Sequence, residues 1–310
     1  MSAPGVIFLM GATATGKTDL AIDIAARFPV EIISVDSALV YRGMDIGTAK
    51  PGPEILQAVT HHLIDILDPA AAYSAWDFVQ QSRQLALEIG ARGHVPLLAG
   101  GTMLYYHAFE RGLNRLPEAD DELRRRLDRE ARQQGWESMH ARLARVDPLS
   151  ASRIRPTDSQ RIQRALEVYE IAGEPLSQLQ QRESVGYGGR IAKLILAAHD
   201  RAALHRRIER RFLQMLDLGL VDEVSALRAR GDLDLSLPSM RCVGYRQVWR
   251  YLDGELTRQQ MVDQGIAATR QLAKRQLTWL RKQPQERCFD CLSYSKDDIF
   301  REVGAAFSRR

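Results

Sequence analysis

Two hydrophobic patterns alternate along the first hundred residues of the chain. Val6–Met10, Val30–Val35 and His94–Ala99 are short, nearly continuous apolar runs, each followed by glycine or aspartate. Such runs are typical of strands that are buried on both faces of a sheet. Between them, Thr18–Phe28 and Trp76–Ile89 have the apolar spacing of amphipathic helices. Because parallel strands need right-handed helical crossovers, this alternation predicts an α/β fold with a doubly wound parallel sheet flanked by helices.

The pattern changes in the middle of the chain. From residue 117 to residue 189, charge-rich helical segments follow one another without a convincing strand, and Gly186–Gly189 has the composition of a linker. These helical segments are Glu118–Gln134, Glu137–Val146 and Asp158–Ile171. Arg190–Ala197 then returns to the composition of a strand. We therefore expect an α/β core made of residues 1–116 and 190–310, with an all-helical domain inserted at residues 117–189.

The composition indicates a water-soluble protein with a modestly basic charge. The net charge is +4, and between residues 201 and 282 sixteen Lys and Arg stand against nine Asp and Glu. This local excess permits a polyanionic partner such as a nucleic acid. The chain has no secretory signal pattern and no apolar run of the ~18 residues that a membrane span needs. Together with only three cysteines, which suit a reducing compartment, these features predict a cytoplasmic protein.

Two pairs of residues are potential metal ligands, but the sequence favours a structural role for each. Cys288 and Cys291 have the CxxC spacing of a zinc site, but no second Cys or His pair completes a tetrahedral set. His61 and His62 have no matching acidic ligands nearby in the sequence. We expect both pairs to serve the fold.

A phosphate-binding loop follows the first predicted strand. Its residues match the pattern G-x-x-x-x-G-K-[ST] and are Gly11, Ala12, Thr13, Ala14, Thr15, Gly16, Lys17 and Thr18. In a turn between a strand and a helix, such glycines let successive backbone N–H groups point at phosphate oxygens, and the helix N-terminus adds positive charge. Lys17 supplies a further charge and the Thr18 hydroxyl can bind Mg²⁺. The loop predicts a pyrophosphate unit, of which ATP is the commonest owner.

Asp36 follows the second predicted strand and is compatible with three roles. It can hold magnesium through water, as the aspartate after the equivalent strand does in many nucleotide-hydrolysing enzymes. It can accept a proton from a nucleophile as a general base. It can also cap the next helix, because aspartate is a preferred helix N-cap. The residue pattern by itself leaves these roles open.

Several motifs together resemble the tRNA dimethylallyltransferase (isopentenyltransferase) family. They begin with the phosphate-binding loop and continue through Val35–Tyr41, Met44–Pro51 and Ala99–Thr102 with Tyr105. Three further motifs lie downstream, at Arg161–Val168, Arg241–Arg246 and Gln271–Trp279. They occur in the family's order and cover nearly the whole chain. Without the C-terminal zinc finger of eukaryotic members, the chain resembles the compact bacterial form.

The resemblance implies a reaction, a cofactor and two substrates. A P-loop core with Mg²⁺ would transfer the dimethylallyl group of dimethylallyl pyrophosphate to N6 of the adenosine just 3′ of the anticodon in tRNA. The anticodon stem-loop would be the partner of a monomeric enzyme.

The family's roles carry over to numbered positions. Asp36 corresponds to the proposed general base, Thr102 to a contact with the acceptor adenine, and Arg211 to an arginine on the donor pyrophosphate. Asp36 and Thr102 also belong to the positions that correspond to tRNA contacts. The others are Ser37, Ala38, Leu39, Arg124, Gln160, Arg161, Ile162, Gln163, Arg164, Arg241, Cys242, Val243, Gly244, Tyr245, Arg246, Lys274, Arg275, Gln276, Leu277, Thr278, Trp279, Leu280 and Arg281.

These residues suit the implied chemistry. An adenine N6 lone pair is delocalised and weakly nucleophilic, so the barrier falls chiefly through stabilisation of the departing pyrophosphate. The amine becomes acidic only as the new bond forms, so we expect an Asp36 carboxylate with an ordinary pKa of about 3.9 to accept its proton. Thr102 would orient the amine, although a threonine before a predicted helix can instead cap that helix.

Three other functions are compatible with a phosphate-binding loop. An adenylate isopentenyltransferase would use the same donor with free AMP or ATP. A P-loop kinase or RNA-stimulated ATPase would turn over ATP, and a non-enzymatic RNA-binding protein would use a nucleotide as a switch. The helical insertion and the basic C-terminal helices favour tRNA as the acceptor.

Overall fold

The computed structural model describes residues 3–284 and 287–307. The chain forms two compact units, of which the first combines the segments Met1–Glu110 and Tyr187–Arg310 and the second is Arg111–Gly186. The inserted unit thus begins six residues earlier and ends three residues earlier than the sequence predicts.

The first unit is built around a parallel sheet with the strand order β3-β2-β4-β1-β5-β6. Its strands are β1 (Val6–Gly11), β2 (Val30–Val35), β3 (His61–His62), β4 (Val95–Gly100), β5 (Ile191–Ala197) and β6 (Cys288–Asp290). Every residue of β1 and β2 is buried, as expected for strands covered by helices on both faces. The predicted doubly wound α/β fold is therefore confirmed.

The helices account for most of the remaining residues. In chain order they are α1 (Lys17–Ala25), α2 (Pro53–Ala58), α3 (Ala75–Ala91), α4 (Met103–Arg111), α5 (Asp121–Gln134), α6 (Trp136–Val146), α7 (Pro148–Arg153), α8 (Ser159–Ala172), α9 (Leu176–Gln181), α10 (Arg201–Asp217), α11 (Leu220–Ala229), α12 (Tyr245–Leu252), α13 (Arg258–Leu280) and α14 (Lys296–Phe307). Not one of the described helices is both long and apolar enough to cross a membrane.

Both edge strands escaped the sequence analysis because each is very short. β3 consists of His61 and His62, and the His62 ring is hydrogen-bonded to the carboxylate of Glu31 on β2 at 2.8 Å. β6 pairs with β5 through Cys288–Asp290. His62 therefore has a structural role, as expected, because it belongs to a polar cluster at the start of β2.

Helix α13 packs directly on the sheet. One apolar stripe of this helix faces the core, since Ile266, Ala273 and Leu280 are buried and Leu277 is half-buried. The helix starts at a capping box, in which the Thr257 side chain accepts a hydrogen bond from the backbone N–H of Gln260. Burial of this stripe places α13 beside the carboxyl ends of the central strands.

The second unit consists of α5 to α9 and the segments around them. Its core contains Leu127, Leu143 and Leu166, none of which has any exposed surface. Glu167 is the unusual core residue, because its carboxylate is fully buried. It accepts hydrogen bonds from the guanidinium groups of Arg124 and Arg164 at 2.8 and 2.6 Å, which is how a buried charge becomes tolerable.

Candidate active site

Three neighbouring strands end at one edge of the sheet, and each end carries a predicted functional residue. β2, β4 and β1 are adjacent and parallel, so Asp36, the turn before Thr102 and the phosphate-binding loop meet there. This is where doubly wound folds bind ligands. The sequence order and the topology agree on the location of the site.

The phosphate-binding loop has a backbone that only particular residues allow. Gly16 lies in the left-handed region with φ +86°, immediately before α1. A Cβ on Gly11 would lie 2.8 Å from the Thr15 hydroxyl and 2.9 Å from the Leu196 carbonyl oxygen. The Lys17 ammonium donates to the carbonyl oxygen of Ala12 at 2.6 Å. The loop is therefore a tight, preformed turn at the N-terminus of α1.

Two cations of the site are poorly compensated. Burial and the neighbouring Arg211 lower the pKa of Lys17 to about 8. Burial also lowers the pKa of Arg211, and with the described residues this half-buried guanidinium makes neither a hydrogen bond nor a salt bridge. A desolvated cation that forms no salt bridge with a carboxylate favours an anionic ligand. The pair therefore forms an anion-binding site beside the loop.

Asp36 lies opposite these cations at the end of β2. One carboxylate oxygen accepts a hydrogen bond from the backbone N–H of Ala38 at 2.8 Å. No helix begins there, since the next helix is α2 at Pro53, so the helix-cap interpretation is wrong. Burial raises the pKa of Asp36, although Lys17 and Arg211 oppose the shift. The expectation of an ordinary pKa is thus also wrong, because desolvation outweighs the two cations.

Thr102 joins the Asp36 turn to the end of β4. Its hydroxyl oxygen accepts a hydrogen bond from the backbone N–H of Ser37 at 3.2 Å, and its own backbone N–H donates to the Val35 carbonyl oxygen at 3.1 Å. The hydroxyl thus bonds to the neighbouring loop. It does not cap α4, as the alternative interpretation of Thr102 expected. Its proton is available to an acceptor in the site.

Two cavities lie side by side at this edge and share one wall. The larger has a volume of about 540 Å³ and the smaller about 120 Å³. Residues that line both are Thr13, Asp36, Thr48, Gly101, Arg211, Leu272 and Gln276. Lys17 and Thr18 line only the smaller cavity, whereas Ser37, Ala38 and Thr102 line only the larger. The proposed base and the unpaired arginine therefore stand at the boundary between two compartments.

The structure brings together part of the C-terminal segments named in the sequence analysis. Residues of these segments that line the larger cavity are Arg241, Cys242, Val243, Gly244, Tyr245, Arg275, Gln276 and Trp279. Arg246, Lys274, Thr278 and Arg281 are exposed elsewhere on the same helices or their ends. Leu277 and Leu280 face the core, and Leu39 lines the smaller cavity. The segments thus mix cavity walls, surface cations and core residues.

A residue that the sequence analysis missed holds one wall of the cavities in place. The Glu223 carboxylate accepts hydrogen bonds from three successive backbone N–H groups, those of Asp45, Ile46 and Gly47, at 2.9, 2.7 and 3.2 Å. It also accepts one from the hydroxyl of Tyr245. The only sequence signal was an acidic residue in the first turn of α11, which is common in helices.

The predicted tRNA contacts of the second unit gather around α8. Gln160 and Arg161 are exposed, with 74% of the Arg161 side chain accessible. Ile162 is fully buried in the core of that unit. Gln163 donates to the Arg124 carbonyl oxygen at 3.2 Å, and Arg124 and Arg164 both bind Glu167. Gln160 and Arg161 are thus exposed, although the Arg161 guanidinium also donates to the Asp158 carboxylate at 2.9 Å, and three of the other residues are engaged in the unit's own hydrogen bonds.

Comparisons with known proteins agree with this architecture. The family model described as IPP transferase matches residues 39–283, and that described as isopentenyl transferase matches residues 4–67. A tRNA dimethylallyltransferase of Cupriavidus taiwanensis is 56% identical over 97% of this chain and 95% of its own length. One of Thioalkalivibrio sulfidiphilus is 60% identical over 91% and 88%.

Solved structures give the same result. The full-length tRNA isopentenylpyrophosphate transferase of Bacillus halodurans superposes with a TM-score of 0.71 and 35% identity, covering 99% of this chain and 97% of that one. A eukaryotic dimethylallyltransferase acting on tRNA has a TM-score of 0.79 at 22% identity, over 99% and 80% of the two chains, and shares the fold. The extent of the family match and the identity to full-length relatives show that this chain belongs to the tRNA dimethylallyltransferase (IPP transferase) family.

Proposed function

We propose that the protein transfers the dimethylallyl group of dimethylallyl pyrophosphate to N6 of the adenosine 3′ to the anticodon in tRNA. The observation that carries this proposal is the shared wall of the two cavities, where Asp36 and Arg211 face both compartments. A donor in one compartment and a base in the other would meet at these two residues. The names of the relatives point to the same reaction.

The smaller cavity suits the diphosphate end of the donor. Lys17 and Arg211 supply two cations that have no carboxylate bonded to them, and the loop before α1 supplies backbone N–H groups and a helix N-terminus. As the allylic C–O bond breaks, negative charge grows on the leaving pyrophosphate. Fixed donors and cations that already point at this charge stabilise it without reorganisation.

The larger cavity suits the acceptor base. Thr102 and Asp36 lie on its wall and are linked through Ser37. The N6 lone pair forms a bond to the allylic C1 carbon while the C–O bond to pyrophosphate breaks, and the displaced N6 proton passes to the Asp36 carboxylate. Because burial raises the pKa of Asp36, this carboxylate is a stronger proton acceptor than an exposed aspartate.

The donor set at the smaller cavity fits Mg²⁺. The Thr18 hydroxyl would offer a hard oxygen atom there, and Mg²⁺ commonly takes only one or two protein oxygens together with substrate phosphates and waters. Within the described residues, no cluster of three His, Cys, Asp or Glu side chains could hold a metal by itself. When bound with the donor, Mg²⁺ would neutralise charge on the pyrophosphate.

The tRNA partner is supported by exposed cations near the larger cavity. Arg241 and Arg275 line it, and Lys274 is exposed on α13. Phosphate contacts of this kind offset the cost of withdrawing a base from its stack, which is a few kcal/mol. We further propose that the anticodon stem-loop is the part bound and that the enzyme acts as a cytoplasmic monomer.

Mass spectrometry of tRNA nucleosides tests the proposal. We expect tRNA incubated with the protein, Mg²⁺ and dimethylallyl pyrophosphate to gain N6-(dimethylallyl)adenosine, with the label of a C1-labelled donor in the RNA and all phosphorus in pyrophosphate. A tRNA with guanosine at the acceptor position and the Lys17→Ala variant are the controls, and both should remain unmodified.

The same assay separates the alternative functions. Modification of AMP without modification of tRNA would identify an adenylate isopentenyltransferase instead. Transfer of phosphoryl groups from ATP, with no prenylated product, would identify a kinase or ATPase.

A further inference from the structure

Gln276 is the buried polar residue of α13 that faces the active site. Its side-chain amide oxygen accepts a hydrogen bond from the backbone N–H of Thr13 at 2.8 Å. Its amide nitrogen donates to the carbonyl oxygen of Gly101, also at 2.8 Å. Only 9% of the residue is exposed. One side chain therefore links the phosphate-binding loop to the turn that follows β4.

The two partners belong to the two halves of the site. Thr13 lies within the loop that would hold the donor. Gly101 immediately precedes Thr102, whose hydroxyl accepts from Ser37 beside Asp36. Hydrogen bonds, together with the peptide link between Gly101 and Thr102, thus connect the phosphate-binding loop through Gln276 to the residues that face the acceptor base.

The fit around this amide is close. A Cβ on Gly101 would lie 2.5 Å from the Gln276 amide nitrogen, a separation that atoms do not adopt without a shift. Gly101 is in a backbone region open to other residues, since it is absent from the positive-φ positions of the described chain. A side chain at this position would therefore displace the Gln276 amide and would not strain the turn.

We propose that Gln276 is a positioning residue that sets the separation between the bound donor and the acceptor base. The inference rests on the proposed function and assigns Gln276 a role other than the tRNA contact expected from its segment, because its oxygen and nitrogen both bond inside the protein. Displacements of about 1 Å between reacting groups cost on the order of 10²-fold in rate. A change at Gln276 would therefore misplace C1 relative to N6 while leaving each substrate bound.

A ratio of two products reports this role directly. When C1 and N6 are misaligned, water can attack C1 instead, which gives dimethylallyl alcohol and pyrophosphate and releases one proton to solvent. Pyrophosphate released per prenyl group in tRNA is near one in a well-aligned site. In Gln276→Leu, we expect this ratio to rise several-fold and the transfer rate to fall roughly 10- to 100-fold, with the Kd for tRNA changed less than twofold.

Gly101→Ala disturbs the same contact from the other side. Its methyl group would displace the Gln276 amide, so we expect the same rise in the ratio. In the double variant the leucine has no amide nitrogen at that point, so the second substitution should add little to the first. Gln271→Leu is the matched control, because Gln271 is an exposed glutamine on the same helix, and its ratio should stay near one.

The outcomes distinguish this inference from the proposed function. If the unmodified protein transfers no prenyl group to tRNA, the proposed function fails. If it does transfer, and Gln276→Leu slows transfer with the ratio still near one, or lowers tRNA affinity in proportion, Gln276 is not a positioning residue. Independent, additive effects of Gly101→Ala and Gln276→Leu would also contradict it. Circular dichroism melting checks that each variant is folded.

Discussion

The hydroxyl oxygen of Thr102 accepts a hydrogen bond from the backbone N–H of Ser37 at 3.2 Å. This contact joins the ends of β2 and β4, which are neighbours in the sheet, and places the threonine hydroxyl one residue from Asp36. The bond uses an oxygen lone pair and leaves the hydroxyl proton directed elsewhere. The contact therefore fixes the geometry of two groups that would face the same adenine amine.

Replacement of Thr102 should separate orientation from binding. In Thr102→Val the hydroxyl is lost at constant volume, and we expect kcat to fall about 10-fold, which corresponds to ~1.4 kcal/mol or one hydrogen bond. Thr102→Ser keeps the hydroxyl and should recover most of the rate. Steady-state kinetics with tRNA checks this, and equal loss in both variants would exclude a role for the hydroxyl.

Asp36→Asn should affect turnover far more than donor affinity. An amide cannot accept the N6 proton, so we expect kcat to fall by about 10²- to 10⁴-fold, with the Kd for the donor nearly unchanged. Burial raises the pKa of Asp36, so protonation should reduce kcat/KM at a higher pH than an exposed aspartate would. A pH–rate profile checks this, and the acid limb should vanish in Asp36→Asn. An identical limb in the variant would assign it to another group.

Capture of the donor should weaken at alkaline pH. The pKa of Lys17 is lowered to about 8, so the ammonium of the free enzyme loses its proton as the pH rises through that value. Because kcat/KM reports the free enzyme, we expect kcat/KM for the donor to fall above about pH 8. Lys17→Arg stays charged throughout this range, and its profile, at whatever level of activity it retains, should lack the decline.

Lys274 should contribute to tRNA affinity through phosphate contact. It is exposed on α13, and removal of one phosphate contact reduces the slope of log K against log salt by about one unit. We expect Lys274→Ala to weaken binding of every tRNA similarly, as measured by filter binding at several salt concentrations. Lys296→Ala is the control, since Lys296 forms a salt bridge with Asp23 of helix α1. An unchanged slope would mean that Lys274 faces solvent in the complex.

Glu31 should stabilise the fold above acidic pH. The Arg92 guanidinium and the rings of His62 and His94 hold the pKa of this buried carboxylate at about 2. The depressed pKa makes its stabilisation fully present above the unfolded-state value of about 4.3 and lost as the pH falls towards 2. We expect Glu31→Gln to lower the free energy of unfolding by about 1–3 kcal/mol at pH 7.

Urea unfolding at two pH values checks this last prediction. The difference between Glu31→Gln and the unmodified protein should shrink from pH 7 to pH 3. Glu54→Gln is the control, because Glu54 is exposed on α2. A difference that is constant with pH would mean that packing rather than charge accounts for the loss.

The local signals in the sequence were sufficient for the core of the site. The apolar runs at Val6 and Val30 and the glycine pattern at Gly11–Thr18 depend on neighbouring residues only, and parallel strands place their carboxyl ends at one edge whatever the details of packing. The phosphate-binding loop and Asp36 therefore lie where their motifs predict. The short edge strand β3 was missed and the ordinary pKa expected for Asp36 was wrong, because both depend on what packs around these residues.

The strands, the helices and the phosphate-binding loop could be predicted from the sequence, since backbone geometry and hydrophobic periodicity are properties of a short segment. The hydrogen bonds that link distant segments could not be predicted in this way. Gln276 bonds to Thr13 across 263 positions and to Gly101 across 175, and Glu223 reaches Asp45 across 178. Such partners are chosen by how helices dock on the sheet and by which buried polar groups must then be satisfied. A glutamine in a basic helical segment therefore looks like a surface contact until the packed core shows both of its hydrogen bonds.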